Sequence, residues 1–144
     1  MIRAFLDANV LFAAAYSKTG ASREIICQAI RGEIGLVASQ LALEEATRNL
    51  QAKAPEVASE LESFREAVEF EIVRPTRREV LEAMRYTAAK DAPIVAPARR
   101  AQVDYLVSLD RHRLVEVPEV AERSGLKIGL PEEFLREVHR RTKE

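Results

Sequence analysis

The sequence predicts an α/β fold, a three-layer α/β/α arrangement around a central, mainly parallel sheet of four to five strands. Two observations predict it. Short apolar runs alternate with helical patterns along all 144 residues, an order that yields a parallel sheet covered by helices on both faces. Two of those runs also stop at an aspartate, the place that borders the binding crevice at the carboxyl end of such a sheet.

Residues 2–6 (Ile-Arg-Ala-Phe-Leu) read as the first strand, stopping at Asp7. A helical stretch follows Asp7-Ala8-Asn9 to about Tyr16, then the Ser17-Lys18-Thr19-Gly20 loop. The next helix places Ile25, Ile26, Ala29 and Ile30 on one face and ends at Gly32. Residues 34–38 form the second strand, and Ser39 is placed to cap a helix through about Ala52. Pro55 opens an amphipathic helix to about Ala67. Residues 70–73 read as the third strand, and Thr76 with Glu79 as a capping box before Val80, Leu81 and Met84. Asp91 is expected to cap a helix with Pro93 in its first turn. Residues 104–109 make the fourth strand, stopping at Asp110; residues 126–129 make a short last strand, and 131–141 a C-terminal helix.

With 47% hydrophobic and 31% charged residues, the composition is that of a globular chain rather than a disordered one. No repeat, linker or low-complexity tract divides it, so residues 1–144 are expected to form one domain. The single cysteine, Cys27, leaves no internal disulfide and suits a reducing cytoplasm; in the run Ile25-Ile26-Cys27 it reads as a packing residue. No apolar stretch has membrane-spanning length, and the apolar run before Asp7 is too short for a signal peptide. A net charge of −1 does not mark a nucleic-acid binder, so any such contact must come from local basic patches.

The chemistry lies in the acids. Asp7 and Asp110 directly follow strands, Glu45 sits six residues after Ser39, and Asp91 starts the helix that leads into the fourth strand. One crevice can collect all four. Two carboxylates about 5 Å apart repel by roughly 3 kcal/mol at an effective dielectric of about 20, so a cluster must take up protons or a divalent cation. All-oxygen donors suit Mg²⁺ or Mn²⁺, and an ion so held activates water and offsets charge on a phosphodiester. No His/Cys spacing suggests zinc.

Four segments carry a family resemblance: Phe5-Leu6-Asp7-Ala8-Asn9-Val10-Leu11, Ser39 to Glu45, Lys90 to Ala98, and Ala101 to Asp110. In this order they resemble a PIN-domain nuclease, similar to the VapC-like toxins of bacterial and archaeal toxin–antitoxin pairs. The resemblance implies a Mg²⁺- or Mn²⁺-dependent endoribonuclease with Asp7, Glu45, Asp91 and Asp110 as its catalytic, metal-holding acids. Asn9 matches the polar residue beside the first acid, and Ser108 the hydroxyl position, both as supporting groups. Glu44 and Glu45 point about 100° apart on a helix, and the family's spacing from Ser39 selects Glu45. An RNA substrate, a cognate antitoxin and a homodimer follow as expectations of the family. Three positions depart from its pattern: Ser108 replaces threonine, Leu109 a small residue, and Pro97 an alanine, which takes one backbone donor from its helix. The alternative reading is a catalytically weakened PIN-fold binding or assembly module.

Arg99, Arg100, Arg111 and Arg113 bracket the proposed crevice in sequence and are candidates for phosphate contact. Asp104, at the opposite end of its strand, is given a structural role, and His112 and His139 are expected to be exposed. A phosphotransferase using Asp7 as nucleophile wants a second aspartate where Asn9 stands, and a nucleotide-binding Rossmann domain wants the G-x-G-x-x-G that is missing here.

Overall fold

Five short segments pair into one all-parallel sheet: β1 (Arg3–Leu6), β2 (Gly35–Ala38), β3 (Glu71–Ile72), β4 (Tyr105–Val107) and β5 (Lys127–Gly129), in the order β3-β2-β1-β4-β5. The structure, a computed structural model, describes residues 1–143. Eight helices accompany the strands: α1 (Ala8–Tyr16), α2 (Ala21–Ile30), α3 (Gln40–Lys53), α4 (Ala58–Ala67), α5 (Arg77–Ala83), α6 (Ala92–Arg100), α7 (Pro118–Ser124) and α8 (Pro131–Thr142).

The pleat explains the layers. Successive side chains leave a strand on opposite faces, so Ala4, Leu6, Leu36, Ala38, Tyr105 and Val107 pack with residues of α1 to α4 and α8. Phe5, Val37 and Leu106 pack on the other face with residues of α5, α6 and α7. Both faces are covered, which is why the central strands read as nearly continuous apolar runs. The result is the three-layer α/β/α fold.

Strand order locates the crevice. From β1 the chain winds outward through β2 and β3, then returns to the other side of β1 for β4 and β5. The reversal between β1 and β4 is the topological switch point, where the loops leaving adjacent strands diverge and open a cleft. Asp7 follows β1 and Ser108 follows β4 at that point.

Local signals act as the sequence suggested in several places. The Ser39 hydroxyl accepts the Ala42 N–H at 3.0 Å and starts α3. Thr76 and Glu79 form the reciprocal capping box of α5. α6 runs through Pro97 to Arg100 without interruption.

Elsewhere the structure corrects the reading. Pro55 begins a 3₁₀ turn (Pro55–Val57), and the α-helix starts only at Ala58. β3 pairs over two residues only, because it is an exposed edge with Ile72 44% accessible. Cys27 is half-buried: the buried face of α2 is carried by Ser22, Ile25 and Ile26, and Cys27 turns off it. Residues 111–124, unassigned from sequence, hold a π-helical turn (Arg111–Val115) and α7. Among the described residues no helix is long and apolar enough to cross a membrane.

Candidate active site

Asp7 is placed by the junction of β1 and α1. Its backbone is extended, as an N-cap requires, and its Oδ1 accepts the Ala8 N–H at 2.7 Å. Oδ2 accepts the Ser108 hydroxyl at 2.8 Å, and the same Ser108 Oγ accepts the Asp110 N–H at 3.0 Å. Asn9 completes the stitching, its Oδ1 accepting the Leu109 N–H at 3.1 Å. Ser108 and Asn9 therefore tie the end of β1 to the end of β4. Both partners of that seam lie about a hundred residues apart in sequence, so only the parallel pairing of the two strands brings them together.

Asp7 is 4% exposed. Burial pushes its pKa up from 3.8 to about 6, against the lowering effect of the bonds from Ser108 and Ala8; the charges of Glu45 and Asp110 add to the rise. Ser108→Ala removes one of those bonds and orphans the Asp110 N–H. It is expected to cost about 1–3 kcal/mol in urea unfolding and to raise the Asp7 pKa further, read by carboxyl ¹³C NMR. An unchanged Asp7 titration shows that Ser108 does not hold the carboxylate.

Asp110 caps the π-helical turn. Oδ1 accepts the Arg113 N–H at 3.0 Å and Oδ2 accepts the Arg113 Nε–H at 2.9 Å, while Nη2 forms an ion pair with Oδ2 at 2.8 Å. Asp91 differs from its expected role. It occupies the cap position of α6 with helical dihedrals, φ −97° and ψ −15°, and its side chain accepts no bond from the helix. The reason is local: Pro93 lacks the second-position N–H, and the Asp91 carbonyl itself takes the Ile94 N–H. Asp91 Oδ2 is consequently buried without a hydrogen-bond partner, 3.6 Å from Arg113 Nε. Burial first, then the Asp110 charge, raises the Asp91 pKa.

Asp7, Glu45, Asp91 and Asp110 line one cavity of about 290 Å³, with Asn9 at its wall. Glu44, adjacent to Glu45, bonds Gln40 instead. Three basic side chains share the lining: Arg113, and also Arg48 and Lys90, which sequence reasoning passed over. Arg48 lies three residues after Glu45, hence on the same helical face, so the choice of Glu45 already contained the signal for it. The other arginines are elsewhere. Arg99 and Arg100 end α6, about 13 Å of helix from Asp91; they pair with Glu82 (3.6 Å) and Glu79 (2.8 Å) around a different cavity. Arg111 is exposed and outside the acidic lining. Asp104 Oδ2 accepts the Arg3 N–H at the amino end of the sheet. Both histidines are exposed.

The donors fit a hard divalent cation in kind: four carboxylates around one cavity, one of them with a buried, unpartnered oxygen. Among the described residues no three of them already stand close enough together to clasp an ion. Arg113 supplies the counter-charge at Asp110.

Solved structures share the fold. The crystal structure of PAE2754 from Pyrobaculum aerophilum aligns over 96% of this chain and 90% of its own, with TM-score 0.63 and 19% identity. FitAcB from Neisseria gonorrhoeae aligns over 89% and 97%, with TM-score 0.61 and 14% identity. VapBC2 from Rickettsia felis, solved with a DNA fragment from their promoter, aligns over 88% and 97%, with TM-score 0.62 and 13% identity. No curated protein sequence matches the chain. A family profile described as PIN domain matches residues 3–112, the stretch that holds all four acids and the Ser108–Asn9 seam; the chain belongs to the PIN-domain family.

Proposed function

We propose that this protein is a Mg²⁺- or Mn²⁺-dependent endoribonuclease and acts as the toxin of a toxin–antitoxin pair in the cytoplasm. One observation carries the reading: four carboxylates drawn from β1, α3, α6 and the end of β4 line a single cavity at the switch point of the sheet. Membership of a family of generally hydrolytic nucleases supports it. Asp7, Glu45, Asp91 and Asp110 would hold the cation, directly or through water. A divalent cation so held makes water a stronger nucleophile and offsets charge on the leaving oxygen.

The chain's own groups do the positioning. Ser108 and Asn9 fix the Asp7 carboxylate and the backbone after β4. Arg48 and Lys90 place positive charge on the wall of the acidic cavity, where it attracts an RNA phosphate that the carboxylates alone would repel. No protein general base is assigned. The VapC-like motifs, together with the likeness in fold to VapBC2, support an antitoxin partner, and a homodimer is the family's usual assembly.

Purified protein is expected to fragment single-stranded or structured RNA with Mg²⁺ or Mn²⁺ and to stop when EDTA is added. The second reading, a binding or assembly module with a weakened site, draws on the Arg113–Asp110 pair and on acids not yet gathered around an ion. Intact RNA in the presence of either cation favours that module.

A further inference from the structure

Arg113 is a cation already seated among the carboxylates, and its seat is built from both backbone and side chain. Asp110 caps the π-helical turn and holds the turn's own Arg113 by two hydrogen bonds, from the amide to Oδ1 and from Nε to Oδ2, with Nη2 ion-paired to the same Oδ2. Oδ2 of Asp110 thus meets two nitrogens of the guanidinium, Nε through a hydrogen bond at 2.9 Å and Nη2 through an ion pair at 2.8 Å. The same Nε stands 3.6 Å from the unpartnered Asp91 Oδ2. One guanidinium thus spans the two acids that follow or precede β4, and relieves their mutual repulsion. Single π turns are rare and occur frequently at functional sites.

We propose that Arg113 is an internal lock on the ion site: while it grips Asp110 it excludes a divalent cation, and entry of the cation drives the guanidinium out of the acidic cavity. The inference rests on the cation-dependent reading above. The guanidinium has somewhere to go. Arg113 is 42% exposed and lines two cavities, the acidic one and a neighbour of about 390 Å³ beside Arg85, Tyr86 and His112. Leaving Asp110 therefore takes a change of side-chain torsions and no unfolding. Arg keeps its charge at every accessible pH, so the lock responds to cation concentration and not to protonation of Arg113.

Calorimetric titration with Mn²⁺ alone tests it. Arg113→Gln, with a wild-type circular dichroism spectrum, is expected to bind Mn²⁺ about tenfold more tightly than the wild type, about 1.4 kcal/mol. Adding Asp110→Asn to that variant is expected to erase the gain. Equal or weaker binding by folded Arg113→Gln overturns the lock, and is what a merely structural arginine would give. The unaltered protein offers a second measurement. The Arg113 Nε–Hε NMR signal is expected to move saturably with added Mg²⁺, in step with the Ala8 and Asp110 amides; a stationary signal beside moving amides overturns the proposal. RNA cleavage measured in parallel separates the two readings. Mn²⁺-dependent cleavage with unchanged affinity in Arg113→Gln removes the lock and leaves the nuclease, whereas Mn²⁺ binding in no variant removes both.

Discussion

Asp7→Asn is expected to abolish cation-dependent RNA cleavage and, in EDTA at pH 7, to leave a protein more stable than the wild type. Loss of a group that merely supports a ligand costs 10–100-fold, so loss of a proposed ligand itself should exceed about a hundredfold. The stability gain follows from burial. An aspartate whose pKa rises from 3.8 to about 6 on folding binds its proton more tightly in the native state. Stability from this group is therefore full below pH 4 and is lost as pH rises through about 6. At about 1.4 kcal/mol per pK unit, the charged side chain costs the fold roughly 3 kcal/mol at pH 7. Asparagine has no charge to desolvate and keeps an oxygen for the Ala8 N–H; misfit at the Ser108 hydroxyl returns about 1 kcal/mol. Urea unfolding at pH 4 and pH 7 checks both sign and window: the two proteins should converge at the lower pH and separate at the higher. Full cleavage by the variant takes Asp7 out of the mechanism, and equal stability at both pH values takes away the desolvation argument.

Phe5→Ala is expected to destabilise the fold by about 3–5 kcal/mol, the usual cost of deleting a buried aromatic ring. Phe5 is 0% exposed in the middle of the central strand, among Val37, Leu106 and the residues of α6. Natural domains have only about 5–15 kcal/mol in hand, so the urea midpoint should fall by about a fifth or more while the slope stays constant. Tyr16, 59% exposed, is the matching control, with a change within about 0.5 kcal/mol on truncation to Ala. A Phe5→Ala midpoint equal to that of the wild type contradicts the packing of the α5–α7 face.

Much of this molecule was legible from local signals. β1, β2 and β4 announce themselves as apolar runs because both faces of the sheet are covered, and the caps at Ser39 and Thr76 follow from side chains that satisfy the first N–H groups of a helix. Acids that end buried strands point to the crevice through the geometry of parallel sheets, which is why Asp7 and Asp110 could be found before any strand order was known. What escaped depends on distance or on unusual geometry. Arg99 and Arg100 follow Asp91 closely in sequence, yet the length of α6 carries both to its other end, beside a different cavity. Asp91 looks like a helix cap until Pro93 is counted as a missing donor. The segment with Pro118 at a helix start and Gly125 at φ +76° did carry standard start and stop signals; its charged composition hid them. A π-helical turn has no sequence signature, so the reach of Arg113 back to Asp110 could not have been foreseen.

The Ser108–Asp7 hydrogen bond joins residues 101 positions apart. Closing so long a loop costs entropy that only strand pairing and burial offset, and contacts of this range form slowly. A chain still being synthesised holds Asp7, Glu45 and Asp91 before Ser108 and Asp110 exist, so the four-acid cavity closes only once β4 has been made and has paired with β1.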